Sequence, residues 1–194
     1  MMIKNEKDII RIISEDSWMM ELLKTVKILN LPDWWICAGF VRSKIWDVLH
    51  DFSERTPIPD IDVIYFDPAN TDELEEKMLE EKLNHFMPGI PWSVKNQARM
   101  HVINHLPPYT SSVDGISKFP ETATALGVKL DESGNVILAA PWGVDDVVNL
   151  EVKPTPFTAE TKERLQVYEN RVEKKAWDSK WYKVNILCRI LSIQ

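Results

Sequence analysis

Two aspartates one residue apart, Asp60-Ile61-Asp62, open the apolar run Val63-Ile64-Tyr65-Phe66 directly after Pro57-Ile58-Pro59. Side chains alternate faces along a strand, so both carboxylates point the same way. Held that close they repel each other unless a cation lies between them, and hard oxygen ligands of this kind suit Mg²⁺. Asp60 and Asp62 are therefore both the candidate metal ligands and the candidate catalytic pair. Acidic pairs at strand starts also accept backbone N–H bonds, so their spacing alone does not choose between the two roles.

A second signal precedes them, Trp34-Trp35-Ile36-Cys37-Ala38-Gly39-Phe40-Val41-Arg42. A short apolar run meets a small-residue turn, and then Val41, Ile45, Val48 and Leu49 recur at helical spacing. A helix N-terminus follows the glycine. Its free N–H groups, the positive end of its dipole and Arg42 form a phosphate cradle, with Ala38, Gly39 and Arg42 as the contacting residues. A phosphate cradle beside metal carboxylates points to a nucleoside triphosphate.

With these residues the chain resembles a small bacterial nucleotidyltransferase-like family of the DNA polymerase β-type superfamily, whose pattern is a Gly-rich turn followed by an Asp-X-Asp strand. Ala38-Gly39 stands where many members have two glycines or Gly-Ser. Three further stretches carry the same resemblance: Pro91-Trp92-Ser93-Val94-Lys95-Asn96-Gln97-Ala98-Arg99-Met100-His101, Pro120-Glu121-Thr122-Ala123-Thr124-Ala125-Leu126-Gly127-Val128 and Ala140-Pro141-Trp142-Gly143-Val144-Asp145-Asp146. The resemblance implies an α/β (α+β) fold, a nucleotidyltransferase-like mixed sheet flanked by helices. It also implies transfer of a nucleoside monophosphate from a Mg²⁺-bound triphosphate to a hydroxyl acceptor, which is a small molecule, a protein or an RNA end.

Active members of that superfamily usually bring a third carboxylate from a neighbouring strand. Here no acid lies between Pro88 and Pro107. The strand expected over residues 92–101 offers Asn96 on one face, and Lys95, Gln97, Arg99 and His101 on the other. Asn96 can ligate a metal through its carbonyl oxygen but cannot take a proton from a hydroxyl. Asn96 is also a candidate nucleotide contact; Lys95 and Arg99 are candidate triphosphate contacts, or else a solvated strand face. The alternative to an enzyme is thus a catalytically degenerate nucleotide-binding or protein-interaction module.

Composition narrows the setting. A net charge of −7 over 194 residues argues against an extensive nucleic-acid surface. The opening Met-Met-Ile-Lys-Asn has no apolar signal core, and no run approaches the roughly 20 apolar residues that span a bilayer, so a cytoplasmic protein is expected. Cys37 and Cys188 lack partners at metal-ligand spacing and read as buried thiols. His101 and His105 lie four apart in a setting that reads as extended, which gives them little weight as zinc ligands. Of the eight tryptophans, Trp34, Trp35 and Trp46 flank the cradle, and at most one of them is expected to stack on a base.

The elements that must position these residues form one domain over residues 1–194. Apolar positions from Ile9 to Leu29 predict one or two amphipathic helices over residues 5–30. Residues 34–37 and 60–66 read as strands, residues 42–50 as a helix. Residues 71–84 form a helix whose Glu75, Glu76, Glu80 and Glu81 look solvated. Residues 128–130 and 136–139 form a hairpin, and Asp145-Asp146 suit a helix N-terminus. Thr158 is the expected cap of a C-terminal helix over residues 159–177.

Overall fold

Asn5 and Asp16 begin the structured chain by capping two helices in turn. The computed structural model describes residues 3–187. The Asn5 side chain accepts the Asp8 N–H at the start of α1 (Glu6–Ser14), and Asp16 accepts that of Met19 at the start of α2 (Ser17–Ile28). Their apolar stripes, Ile9, Ile12 and Ile13, then Met19, Leu22, Leu23 and Val26, are buried as the sequence periodicity requires.

Five strands follow: β1 (Trp35–Cys37), β2 (Ile61–Tyr65), β3 (Trp92–Asn96), β4 (Gly127–Leu130) and β5 (Val136–Ala139), lying side by side in the order β3-β2-β1-β4-β5. β2 and β3 are parallel, joined through helix α4 (Glu73–Phe86), and the other pairs are antiparallel. Helix α3 (Gly39–Leu49) connects β1 toward β2. The result is a mixed α+β sheet flanked by helices. Strand alternation divides it: Ile61, Val63 and Tyr65 join Ile36 in the large core with α1 and α2, while Ile64 joins Trp35 and Cys37 in a smaller cluster. Asp62 sits in register with Cys37.

Three expectations are corrected. The strand over residues 92–101 ends at Asn96, whose Oδ1 accepts the Ala98 N–H at 3.0 Å and starts helix α5 (Gln97–Ile103). An asparagine cap followed by Gln, Ala, Arg and Met favours a helix over further extension. His101 is therefore helical, and His105 follows the helix with φ 54°. After helix α6 (Ser112–Ser117) and the β4–β5 hairpin, Asp145 and Asp146 occupy the first turn of α7 (Asp145–Val148), as expected.

The C-terminal helix over residues 159–177 is interrupted. After β6 (Glu151–Val152), Thr155 caps α8 (Pro156–Ala159), with Pro156 at its first turn; Thr161 caps α9 (Lys162–Lys175), and α10 (Trp177–Lys180) follows. Thr158 lies inside α8 and caps nothing, and Ala176 turns left-handed at φ 42° to end α9. The last strand, β7 (Asn185–Ile186), pairs with β6.

The acidic face of α4 is not simply solvated. Glu76 is fully buried, where Arg99 Nη2 (2.8 Å), Arg99 Nε (3.0 Å) and the Asn96 N–H (2.9 Å) donate to it. Among the described residues no helix is long and apolar enough to cross a membrane.

Candidate active site

The cradle is built by a strained turn. Ala38 takes φ 52° and ψ −113°, a left-handed conformation unusual for a residue with a Cβ. It is held there because its N–H donates to Leu126 O (3.0 Å) and its carbonyl accepts from Val41 and Arg42 at 3.1 and 3.0 Å. α3 has no side-chain cap, and by helix geometry the amides of Gly39 and Phe40 find no partner within it. A methyl on Gly39 would lie 3.6 Å from Ile58 and 3.7 Å from Arg42 Nη2, ordinary contact distances. The glycine therefore relieves no clash; it leaves the helix end uncovered.

Arg42 lies one turn in, 8% exposed, with its guanidinium carbon 5.1, 4.7 and 5.6 Å from the rings of Trp46, Trp177 and Trp181. Its Nη2 makes a long 3.3 Å bond to Ser43, and its Nε is buried without a partner among the described residues. Burial pulls its pKa down to about 10, against the opposing charges of Glu121, Asp60 and Asp62, so it stays charged at neutral pH. A buried cation with an unpaired donor is costly unless an anion reaches it.

Asp60 and Asp62 come to the same place at the start of β2, with Asp60 exposed and Asp62 half-buried. Burial first, then the nearby Asp60 charge, raise the pKa of Asp62 to about 6, while Arg171, Lys175 and Arg42 pull the other way. A hard divalent cation would relieve that strain. Among the described residues no group of three His, Cys, Asp or Glu forms a metal cage. Two carboxylates are nonetheless what Mg²⁺ takes from a protein when phosphates and water complete its shell. The donor set fits the ion on that condition.

These residues share a cavity of about 360 Å³. Ala38, Gly39, Arg42, Asp60 and Asp62 line one part of it, and Arg171, Lys174, Lys175, Trp177, Lys180 and Trp181 the rest. The second group escaped the sequence reading, which took residues 159–177 as a packing helix. A signal was present in the basic and aromatic interleaving from Arg171 to Trp181.

Three sequence candidates lie elsewhere. Arg99 is committed to Glu76. Asn96 bonds Asp67, Asn70 and Ala98 with its side chain and serves as a cap. Lys95 sits 3.3 Å from Glu76 and lines a neighbouring cavity that shares Ala38, Asp62 and Arg171 with the first. The three belong to the junction of β3, α4 and α5 because the helix begins at Gln97 and turns Arg99 back toward α4.

Trp34, Trp35 and Trp46 are all buried, Trp46 completely, and none lines the first cavity. His50 ends α3, with Nδ1 2.7 Å from Trp46 O and Nε2 accepting the Lys183 N–H at 3.0 Å. Cys37 is fully buried; burial, with Asp62 and Asp33, pushes its thiol pKa well up, so it is no nucleophile. Cys188 lies outside the described residues.

A family model described as Nucleotidyltransferase matches residues 24–186. The chain belongs to this nucleotidyltransferase family. Its fold agrees with that of a protein whose NMR structure is described as revealing a CCA-adding enzyme head domain, 39% identical over 95% of this chain and 97% of the other, with a TM-score of 0.84.

Larger members of the fold share less. A CCA-adding enzyme solved with CTP is 14% identical over 95% of this nucleotidyltransferase-family chain and 43% of its own, with a TM-score of 0.57. The Thermotoga maritima CCA-adding enzyme solved with tRNA is 13% identical over 96% and 43%, with a TM-score of 0.56. The chain thus spans less than half of these enzymes, and the likeness is one of fold. No curated protein matches it significantly.

Proposed function

We propose that this chain transfers a nucleoside monophosphate from a nucleoside triphosphate to a hydroxyl acceptor. The observation that carries the reading is the meeting of Arg42, with its unpaired buried Nε, and the Asp60–Asp62 pair in one cavity at the open end of α3. Phosphate oxygens would satisfy Arg42 Nε and the first helical amides, where the helix dipole adds to the attraction. Lys174, Lys175 and Lys180 on the facing wall balance the rest of the triphosphate charge.

Asp60 and Asp62 would hold Mg²⁺, which when bound neutralises charge developing on the phosphates. The acceptor oxygen bonds to the α-phosphorus, the bond from that phosphorus to pyrophosphate breaks, and the hydroxyl proton passes to solvent in the open cavity. Little covalent chemistry falls to the protein, so positioning and charge supply the acceleration. The ATP and CTP of solved CCA-adding enzymes support a nucleotide as donor for this fold, and the acceptor here is a separate question.

One observation favours a second reading, a nucleotide-binding module without catalysis. The residue of β3 in register with Asp62 is Ser93, so the neighbouring strand presents a hydroxyl where a third carboxylate would help. Pyrophosphate release separates the two. Transfer requires Mg²⁺-dependent release from at least one nucleoside triphosphate, abolished by Asp62→Ala; a binding module shows nucleotide affinity with no release.

A further inference from the structure

A second cavity, of about 240 Å³, shares Ala38, Asp62 and Arg171 with the first and extends under α5 and α6. Gln97, the first residue of α5, lines it while only 4% exposed. Its side-chain amide makes no hydrogen bond with any described residue, and its polar atoms are not sealed off from the cavity. A buried primary amide normally satisfies its two donors and its carbonyl, so an unused one facing a cavity marks a place for a ligand. A Cβ on Gly115 would come within 2.4 Å of Gln97 Oε1, so the glycine leaves room for the amide.

The rest of the lining narrows the ligand. Ile64, Met100 and Phe119 give an apolar wall. Lys118 and Arg171 stand at its charged part, each anchored by an acid outside the cavity lining, Asp114 for Lys118 (3.5 Å) and Glu121 for Arg171 (2.7 Å). Such anchored cations receive an anion without first being ordered. An amide that both donates and accepts suits hydroxyls. The volume lies below the about 300–1,000 Å³ of cavities for drug-sized ligands, which fits a body the size of one monosaccharide.

Resting on the transfer reading above, we infer that this second cavity is the acceptor subsite and takes a sugar phosphate, its hydroxyls on Gln97, its phosphate on Lys118 and Arg171, and the reacting hydroxyl toward Asp62. In the transfer step that hydroxyl oxygen bonds to the α-phosphorus of the donor, pyrophosphate leaves and the proton goes to solvent. The anion belongs to the acceptor and stays intact.

The test follows the Gln97 side-chain amide resonances of ¹⁵N-labelled protein, identified as the pair missing in Gln97→Leu. Ribose 5-phosphate and glucose 6-phosphate are titrated, with glucose and inorganic phosphate as controls, and the Gly39 backbone amide is followed separately under ATP with Mg²⁺. The expected result is a saturable shift of the Gln97 pair with at least one sugar phosphate. Lys118→Ala, a change at the cavity rim, should weaken that binding about tenfold, the scale of one charge-assisted hydrogen bond.

No shift with either sugar phosphate overturns the inference. So does an equal response to inorganic phosphate alone or to glucose alone, or a Gln97 shift caused by ATP itself. A Gly39 amide that ignores ATP while Gln97 responds to a sugar phosphate would instead remove the transfer reading and leave the second cavity as a binding site.

Discussion

The indole N–H of Trp181 donates to Asp47 Oδ1 at 2.8 Å, joining α3 to a segment 134 residues further on. The same carboxylate accepts Thr56 Oγ1 (2.6 Å) and the Thr56 N–H (2.9 Å), so one buried aspartate ties the helix, the loop before β2 and the C-terminal wall together. Those three parts bound the cavity that holds Arg42. Trp181→Phe trims the buried indole to a single ring and removes the donor; we expect a loss of at least about 2 kcal/mol in urea unfolding, from the hydrogen bond to a charged group and the space left behind. Weaker nucleotide binding should accompany it, because the cage around Arg42 loosens.

Gly39→Ala separates folding from binding. Ordinary contact distances around the added methyl predict a change in thermal stability within about 1 kcal/mol, since Ala is the better helix former. Nucleotide affinity measured by calorimetry should fall, as the methyl covers the uncapped end of α3. Unchanged affinity would show that phosphates do not use this helix end.

Glu76 sets an acid limit on stability. Burial by itself raises its pKa, but the Arg99 hydrogen bond, the Asn96 N–H and Lys95 more than reverse this and leave it below the ordinary glutamate value of 4.5. A folded-state pKa below the unfolded one means the stabilisation is complete above the unfolded value and is lost as pH falls through the folded one. Glu76→Gln should therefore cost about 3 kcal/mol at neutral pH, the scale of breaking a buried ion pair. In unfolding curves recorded at successively lower pH, the gap between variant and wild type should narrow below about pH 4.5.

The basic wall offers a further check. Lys174→Ala combined with Lys175→Ala should weaken triphosphate binding about tenfold and flatten its dependence on salt, because less charge remains to be screened. An affinity that is unchanged would place the triphosphate away from α9.

Local signals made much of this legible beforehand. The stripe from Ile9 to Val26, the Ala38-Gly39 turn and the alternation through Asp60 and Asp62 each encode their geometry within a few residues. The amphipathic helices form for that reason, and the Ala38-Gly39 turn, Arg42 and the acid pair line one cavity. Arg99 was misplaced because one asparagine cap changes the period from two to 3.6 at Gln97, while Lys95 keeps its place on β3 and is held by Glu76. Glu76 looked solvated because a glutamate's burial depends on a partner carried by another element. The wall from Arg171 to Trp181 was missed for a similar reason, since long-range partners bring it to the site: Asp47 for Trp181, Trp46 for Trp177 and Glu121 for Arg171.

Asp60, Asp62 and the end of α3 are proposed to form a metal-dependent nucleotide site. Its most direct test is calorimetric titration of each of the four nucleoside triphosphates into the protein, with and without Mg²⁺, in wild type and in Asp60→Ala/Asp62→Ala. The account predicts saturable binding of at least one triphosphate that strengthens with Mg²⁺, and loss of that metal dependence in the double variant. Binding indifferent to both metal and mutation, or no binding at all, would contradict it.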